Sequence, residues 1–288
     1  MAIATVNVPQ AGSPALPAAA RRVRLAMDRD GAVSLRGLFP RALLERVRAH
    51  VLRGHESGRL RREGLIRDIG GRYAALLPFE GPFLDPRFYA DPRLHRLLCG
   101  LLGESYCIGS LEAVISLPGA SRQHQHIDGP LRLERLIGGR KRPFPGDLSR
   151  LPPYAVTLCV PLCDLGEENG ATAIWAGSHR AALGAKPPGE RALSRRYAME
   201  RMCGEFGRCF FFDYRVFHCG MPNFSREPRP VVMFVFTRGW FRDPNLAEVR
   251  PRVAIRARDL AKVATRRRPL FALAPAARRA LWKGEKFL

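Results

Sequence analysis

The chain has 288 residues, 46% of them hydrophobic and 16 of them Phe, which allows one large domain or two small ones with a sizeable core. Forty-eight Lys and Arg against 26 Asp and Glu give a net charge of +22, and that surplus predicts attraction to polyanions, acidic carrier proteins or phosphorylated substrates. Seven cysteines with no CxxC pair argue against a zinc site or a disulfide framework and for reduced thiols in a cytoplasmic protein. No uninterrupted apolar run reaches the roughly 18 residues of a transmembrane helix, and residues 1–20 lack the basic and apolar regions of a secretory signal.

In chain order, residues 1–22 are rich in Ala, Pro and Gly and read as a flexible tail. Asp30 to Phe39 reads as a short strand ending in a turn. Pro40 opens a helix whose Leu43, Leu44, Val47 and Val51 repeat at helical spacing. Residues 53–67 form a charged connection. The Gly-rich stretch Asp68 to Tyr73 lacks the Lys-Ser/Thr of a phosphate loop, so it reads as a turn or an active-site rim. Residues 92–102 predict a second helix, with Leu94, Leu97, Leu98 and Leu101 inward. From Tyr106 onward short strands dominate: 106–117, 154–162, 171–175, 208–214 and 231–237. The fold class this predicts is α+β or mainly β, with residues 23–250 as one domain.

Between the first two of these strands lies a long polar segment, 131–153, carrying Arg132, Arg135, Arg140, Lys141, Arg142 and Arg150. A segment of that length inside a domain reads as a functional lid. Residues 251–288 hold eleven Lys or Arg against Asp259 and Glu285 and read as a basic helical extension.

The stretch that carries chemistry is Gln123-His124-Gln125-His126-Ile127-Asp128-Gly129. On an extended segment, His126 and Asp128 point to the same face. An imidazole and a carboxylate so placed form two-thirds of the two-His, one-carboxylate triad that holds non-haem Fe(II). His50, His55 and His95 lie on helical or charged stretches, and His179 sits in a Gly-Ser-His-Arg turn. His124 alternates with His126 and is an alternative ligand. His218 ends an apolar strand and precedes a turn, which suits metal ligation. Centring that turn on Asn223 and Phe224 puts Arg229 opposite His218 on the returning strand. A buried guanidinium needs a carboxylate partner, and a bound dicarboxylate supplies one through a forked contact.

His126-Ile-Asp128, the run from Val160 through Asn169-Gly-Ala-Thr172 to Gly177-Ser-His-Arg180, and Phe212 to His218 with Asn223 and Arg229 together resemble the phytanoyl-CoA dioxygenase family over about residues 28 to 240. The resemblance implies a double-stranded β-helix, a jelly-roll of cupin type, that uses Fe(II), 2-oxoglutarate and O2. His126, Asp128 and His218 match the iron ligands, and Arg229 matches the residue that grips the distal carboxylate of 2-oxoglutarate. Cys159 stands where some members carry an aromatic residue beside the co-substrate. The activity implied is hydroxylation of an unactivated C–H bond in a small-molecule, lipid-derived or carrier-bound substrate, coupled to decarboxylation of 2-oxoglutarate to succinate. The carboxylate at Asp128 favours that outcome over halogenation. Gln123 and Thr157 are candidate cofactor contacts, and Arg132, Arg140 and Arg215 candidate substrate or lid residues. The competing class is a basic nucleic-acid-binding or nucleic-acid-demethylating β-barrel, but the arginines are not interleaved with aromatics along one stretch as that class requires.

Overall fold

Strand residues of this chain segregate with a period of two. Along Cys107–Ser116 the positions Leu111, Ala113 and Ile115 are buried and apolar, while Ser110, Glu112 and Ser116 alternate with them. Arg229–Thr237 repeats the division, with Val232, Phe234 and Phe236 on one side and Arg229 and Met233 on the other. Successive side chains of a strand face opposite ways, so one face of the resulting sheet meets an apolar layer and the other encloses polar contents.

A computed structural model describes residues 3–63, 70–129, 134–137, 140–143, 151–181, 188–241 and 253–274. The first part contains β1 (Thr5–Asn7), α1 (Leu16–Asp30), β2 (Ala32–Arg36), α2 (Arg41–Glu56), α3 (Arg59–Glu63), β3 (Arg72–Leu76), α4 (Pro86–Tyr89) and α5 (Pro92–Leu102). The middle contains β4 (Cys107–Ser116), β5 (Glu134–Ile137), β6 (Arg140–Pro143), β7 (Ala155–Pro161) and β8 (Ala173–Trp175). Then follow α6 (Glu190–Ser194), β9 (Met199–Arg201), β10 (Cys209–Asp213), β11 (His218–Cys219), β12 (Arg229–Thr237) and α7 (Ala257–Leu260).

Seven strands form one sheet in the order β1-β2-β10-β7-β12-β4-β3, antiparallel except for the β1–β2 pair. A second sheet runs β11-β8-β9. On the outer face of the large sheet, Leu111, Leu158 and Phe234 join Val23 of α1, Val47 of α2 and Leu98 of α5 in one buried cluster. Each such side chain contributes roughly 1.5–3 kcal/mol by leaving water. On the inner face, Cys159, Phe210 and Val231 pack against Ile174 of the smaller sheet. Two sheets facing each other across their inner surfaces make this a double-stranded β-helix.

Two expectations are corrected. Of the expected flexible tail, 1–22, the described residues 3–22 are ordered: β1 pairs with β2, Val6 lying beside Leu35, and α1 begins at Leu16. The Ala-rich composition is equally what a helix prefers, and Leu16, Ala19, Val23, Ala26 and Met27 bury one stripe of it. Gly31, at φ 70°, ends α1 in the left-handed conformation with its N–H on Met27 O. His218 and Arg229 are not cross-strand partners either. They lie in different sheets, because β11 pairs with β8 whereas Arg229 pairs with Ser116 of β4. Of the basic extension, the described part carries α7 and a 3₁₀ turn, Thr265–Phe271, whose Phe271 ring meets Phe79 edge-on at 4.9 Å. Within the expected lid, β5 and β6 pair as a two-stranded ribbon. Arg132 and the side chain of Arg140 lie outside the described residues.

Candidate metal centre

The segment after β4 runs antiparallel to the chain around β11. Gln123 N donates to Gly220 O, His126 N and His218 N each donate to the other's carbonyl at 2.9 Å, and Gly129 N donates to Tyr214 O. This main-chain ladder sets the rings of His126 and His218 4.4 Å apart. Asp128, two residues beyond His126, completes a group whose ligand-capable atoms all lie within 4.8 Å of one another.

Both imidazoles are oriented by a second contact. His126 Nδ1 donates to His124 O and His218 Nδ1 donates to Val216 O, each at 3.0 Å. A ring whose Nδ1 carries the proton presents an unprotonated Nε2 to a metal. Burial first, then the neighbouring His218, push the His126 pKa below the ordinary histidine value, which favours the neutral form a ligand needs. His218 Nε2 lies 3.5 Å from Asp128 Oδ1. That is longer than a charge-assisted hydrogen bond of about 2.7–2.9 Å. It is close to the roughly 3 Å separating two neighbouring ligands of one octahedral ion. The other carboxylate oxygen, Oδ2, accepts from Thr157 Oγ1 at 3.2 Å.

The triad opens onto a cavity of about 150 Å³ that also takes in Arg72, Gln123, Thr157, Phe212 and Arg229. Arg229 is 2% exposed, and its Nε has no acceptor. Among the described residues its guanidinium makes no hydrogen bond or ion pair. Arg72 donates to Ser116 Oγ, Met221 O and Ser121 O, while its own Nε is buried without an acceptor. Both arginines pair through their backbones with Ser116, one on each side of β4. Neither meets a carboxylate among the described residues. Burial lowers the pKa of Arg229. Burial and then Arg229 push Arg72 down to about 10. A buried charge without a partner costs several kcal/mol, so this end of the cavity is shaped for an anion. The donor set of two imidazoles and a carboxylate suits Fe(II), and the doubly basic end suits a dicarboxylate such as 2-oxoglutarate. Gly220 allows the crowding here. A Cβ at this position would lie 2.7 Å from both Arg72 Cζ and Gln123 Oε1.

The structure brings together His126, Asp128, His218, Arg229, Gln123 and Thr157. Gln123 turns its carbonyl to Gly220 N at 2.9 Å, and Thr157 bonds a carboxylate. Arg215 is corrected as a substrate contact: it is 1% exposed, and its guanidinium is taken up by both oxygens of Asp213 and by Leu151 O. His124 is exposed and outside the cluster, and His179 is buried in a 3₁₀ turn away from it. Arg72 was not singled out by sequence reasoning. Its only signal is a charge inside a short Gly-led strand, and its partners are 44 and 149 residues away.

The sequence model of the family described as phytanoyl-CoA dioxygenase (PhyH) matches residues 27–231. Among solved structures the chain is similar to AviO1 from Streptomyces viridochromogenes Tue57, at a TM-score of 0.57 and 17% identity, covering 78% of this chain and 97% of that one. It is similar to SnoN, described as a non-heme alpha-ketoglutarate-dependent epimerase from nogalamycin biosynthesis, at 0.55 and 19%, covering 77% and 83%. HygX from Streptomyces hygroscopicus, solved with nickel, 2-oxoglutarate and hygromycin B bound, matches at 0.55 and 16%, covering 77% and 89%. These likenesses are ones of fold. No helix among the described residues is long and apolar enough to cross a membrane.

Proposed function

The chain belongs to the phytanoyl-CoA dioxygenase family, and from that premise we propose that it is an Fe(II)- and 2-oxoglutarate-dependent dioxygenase that hydroxylates an unactivated C–H bond of a small molecule. The observation that carries this reading is the pairing, in one cavity, of the His126, Asp128 and His218 cluster with the guanidinium of Arg229, which has no partner among the described residues. His126, Asp128 and His218 would hold the iron. Arg229 would take the distal carboxylate of 2-oxoglutarate in a forked contact, and Arg72 adds a second positive charge at that end. When bound, Fe(II) with 2-oxoglutarate and O2 supplies the oxidising power for C–H cleavage and leaves succinate and CO2.

The protein's share is orientation and exclusion of water. The carbonyls of His124 and Val216 hold both imidazoles in one tautomer. Phe212, Met233 and Val235 give the cavity apolar walls, which strengthen every charge interaction inside it. Gln123 fixes the backbone just after His218.

The test is succinate formation with Fe(II), 2-oxoglutarate and a panel of lipid, amino-acid, glycoside and carrier-bound compounds, in wild type and in His218→Ala. We expect succinate in wild type only, with one oxygen atom added to the accepted compound. A product of unchanged mass would replace hydroxylation by epimerisation. If the metal-loaded protein neither binds 2-oxoglutarate nor releases succinate, the reading fails. Tight, salt-sensitive DNA binding without any need for metal would then favour the nucleic-acid-binding class.

A further inference from the structure

Thr157 stands at the centre of the large sheet. It pairs with Phe212 of β10 on one side and Val235 of β12 on the other, so its Cα cannot shift without breaking two ladders. The residue is 1% exposed, and a β-branched side chain has few χ1 choices. Its hydroxyl is therefore a fixed donor. The acceptor is Asp128 Oδ2, and among the described residues this is the one hydrogen bond that the carboxylate accepts. Asp128 itself sits on an irregular segment, with its side chain 28% exposed and Oδ1 3.5 Å from His218 Nε2, so among the described residues the bond from Thr157 is the one hydrogen bond that orients its plane.

We propose that Thr157 is a positioning residue of the metal centre: it engages Oδ2 of Asp128 and thereby limits that carboxylate to a single ligating oxygen, Oδ1. This inference rests on the iron-centre reading above. Oδ1 is the oxygen turned toward His218 Nε2, and Oδ2 points to the sheet. The distinction matters because a carboxylate can ligate through one oxygen or both. Two imidazoles and a one-oxygen carboxylate leave half of an octahedral ion's positions open. A two-oxygen carboxylate leaves only a third, and a chelating keto acid would fill all of those. The Thr157 hydroxyl thus keeps one position free beyond what the co-substrate takes. Partners of metal ligands at this distance are commonly worth about 10–100-fold in metal affinity or activity.

The experiment uses the full chain loaded with Mn(II), which is paramagnetic and stable in air, and reads inner-sphere water by proton relaxation. It compares wild type, T157V, T157A and T157S, with and without 2-oxoglutarate. Wild type should keep one water on Mn(II) after 2-oxoglutarate binds. T157V and T157A should keep none, with Mn(II) affinity equal or tighter and succinate formation with Fe(II) down about 10–100-fold. T157S, which restores the hydroxyl, should return the water and most of the rate. T157A guards against a T157V chain that fails to fold. Equal hydration and equal rates in wild type and the two hydroxyl-free variants would overturn the proposal and leave Thr157 a packing residue. If wild type takes up no Mn(II), or holds it equally after His218→Ala, the metal-centre reading itself falls.

Discussion

Four arginines are buried among the described residues, Arg72, Arg93, Arg215 and Arg229, and they divide into two kinds. Arg93 and Arg215 each have an aspartate two residues earlier: Asp91 lies 2.8 Å from Arg93 and Asp213 lies 2.7 Å from Arg215. Each also donates to carbonyls distant in sequence, Gly37 O and Leu151 O respectively. Arg72 and Arg229 are as deeply buried, yet meet no carboxylate among the described residues. The first kind is complete within the protein: Arg93 ties α5 to the turn after β2, and Arg215 ties the turn after β10 to Leu151. The second leaves charge facing a cavity, at a free-energy cost that only an incoming anion removes. Depth alone therefore does not mark a functional arginine; an absent counter-charge does.

The division can be broken by substitution. Arg215→Ala leaves Asp213 buried with the backbone N–H of residue 215 but without the guanidinium that neutralises it, and should cost about 3–5 kcal/mol of stability, read by denaturant unfolding. An unfolding midpoint like that of wild type would erase the distinction. Arg229→Met removes a charge that has no partner among the described residues, so stability should hold or rise slightly. Its effect appears in binding: affinity of the metal-loaded protein for 2-oxoglutarate should fall at least ~100-fold, about 2.7 kcal/mol, by calorimetry. Arg229→Lys sharpens the point, since it keeps the charge and loses the fork. A drop of about 10-fold is expected, and full affinity would argue for charge without geometry.

The smallest effect concerns pH. Burial lowers the pKa of His50, His55, His95, His126 and His179. The unfolded chain would protonate these groups near pH 6.5, so it binds more protons than the folded one below that value. Stability of the metal-free protein should therefore decline as pH falls from about 7 to 5, seen as a lower melting temperature. A profile that stays flat, or in which stability rises as pH falls, would contradict the burial that lowers these five histidines.

What could be read in the sequence followed from local spacing. His126 and Asp128 share a face by alternation, and the strands from Tyr106 onward are visible in their apolar runs. The Asp-x-Arg spacing was equally legible, at Asp213 and at Asp91, and would have set Arg215 apart from Arg229. Arg72 was beyond local reasoning, because its place depends on Ser116 and Met221 brought from far along the chain. The turn after His218 misled in another way. Asn223 bonds back to Ser116 O and Glu227 O, so the segment from Gly220 to Glu227 changes sheets instead of folding into a tight hairpin. The Ala-rich start of α1 has the composition of a tail, and only its stripe of buried residues tells the two apart.

The reciprocal main-chain bonds between residues 126 and 218 have a practical corollary. They do not depend on which side chains these residues bear, so a softer or harder donor written at either position would still converge on the same point. The strands act as a mould, and the identity of the captured ion is decided by interchangeable lettering on its surface. That makes this a scaffold in which metal preference could be re-authored without redrawing the backbone.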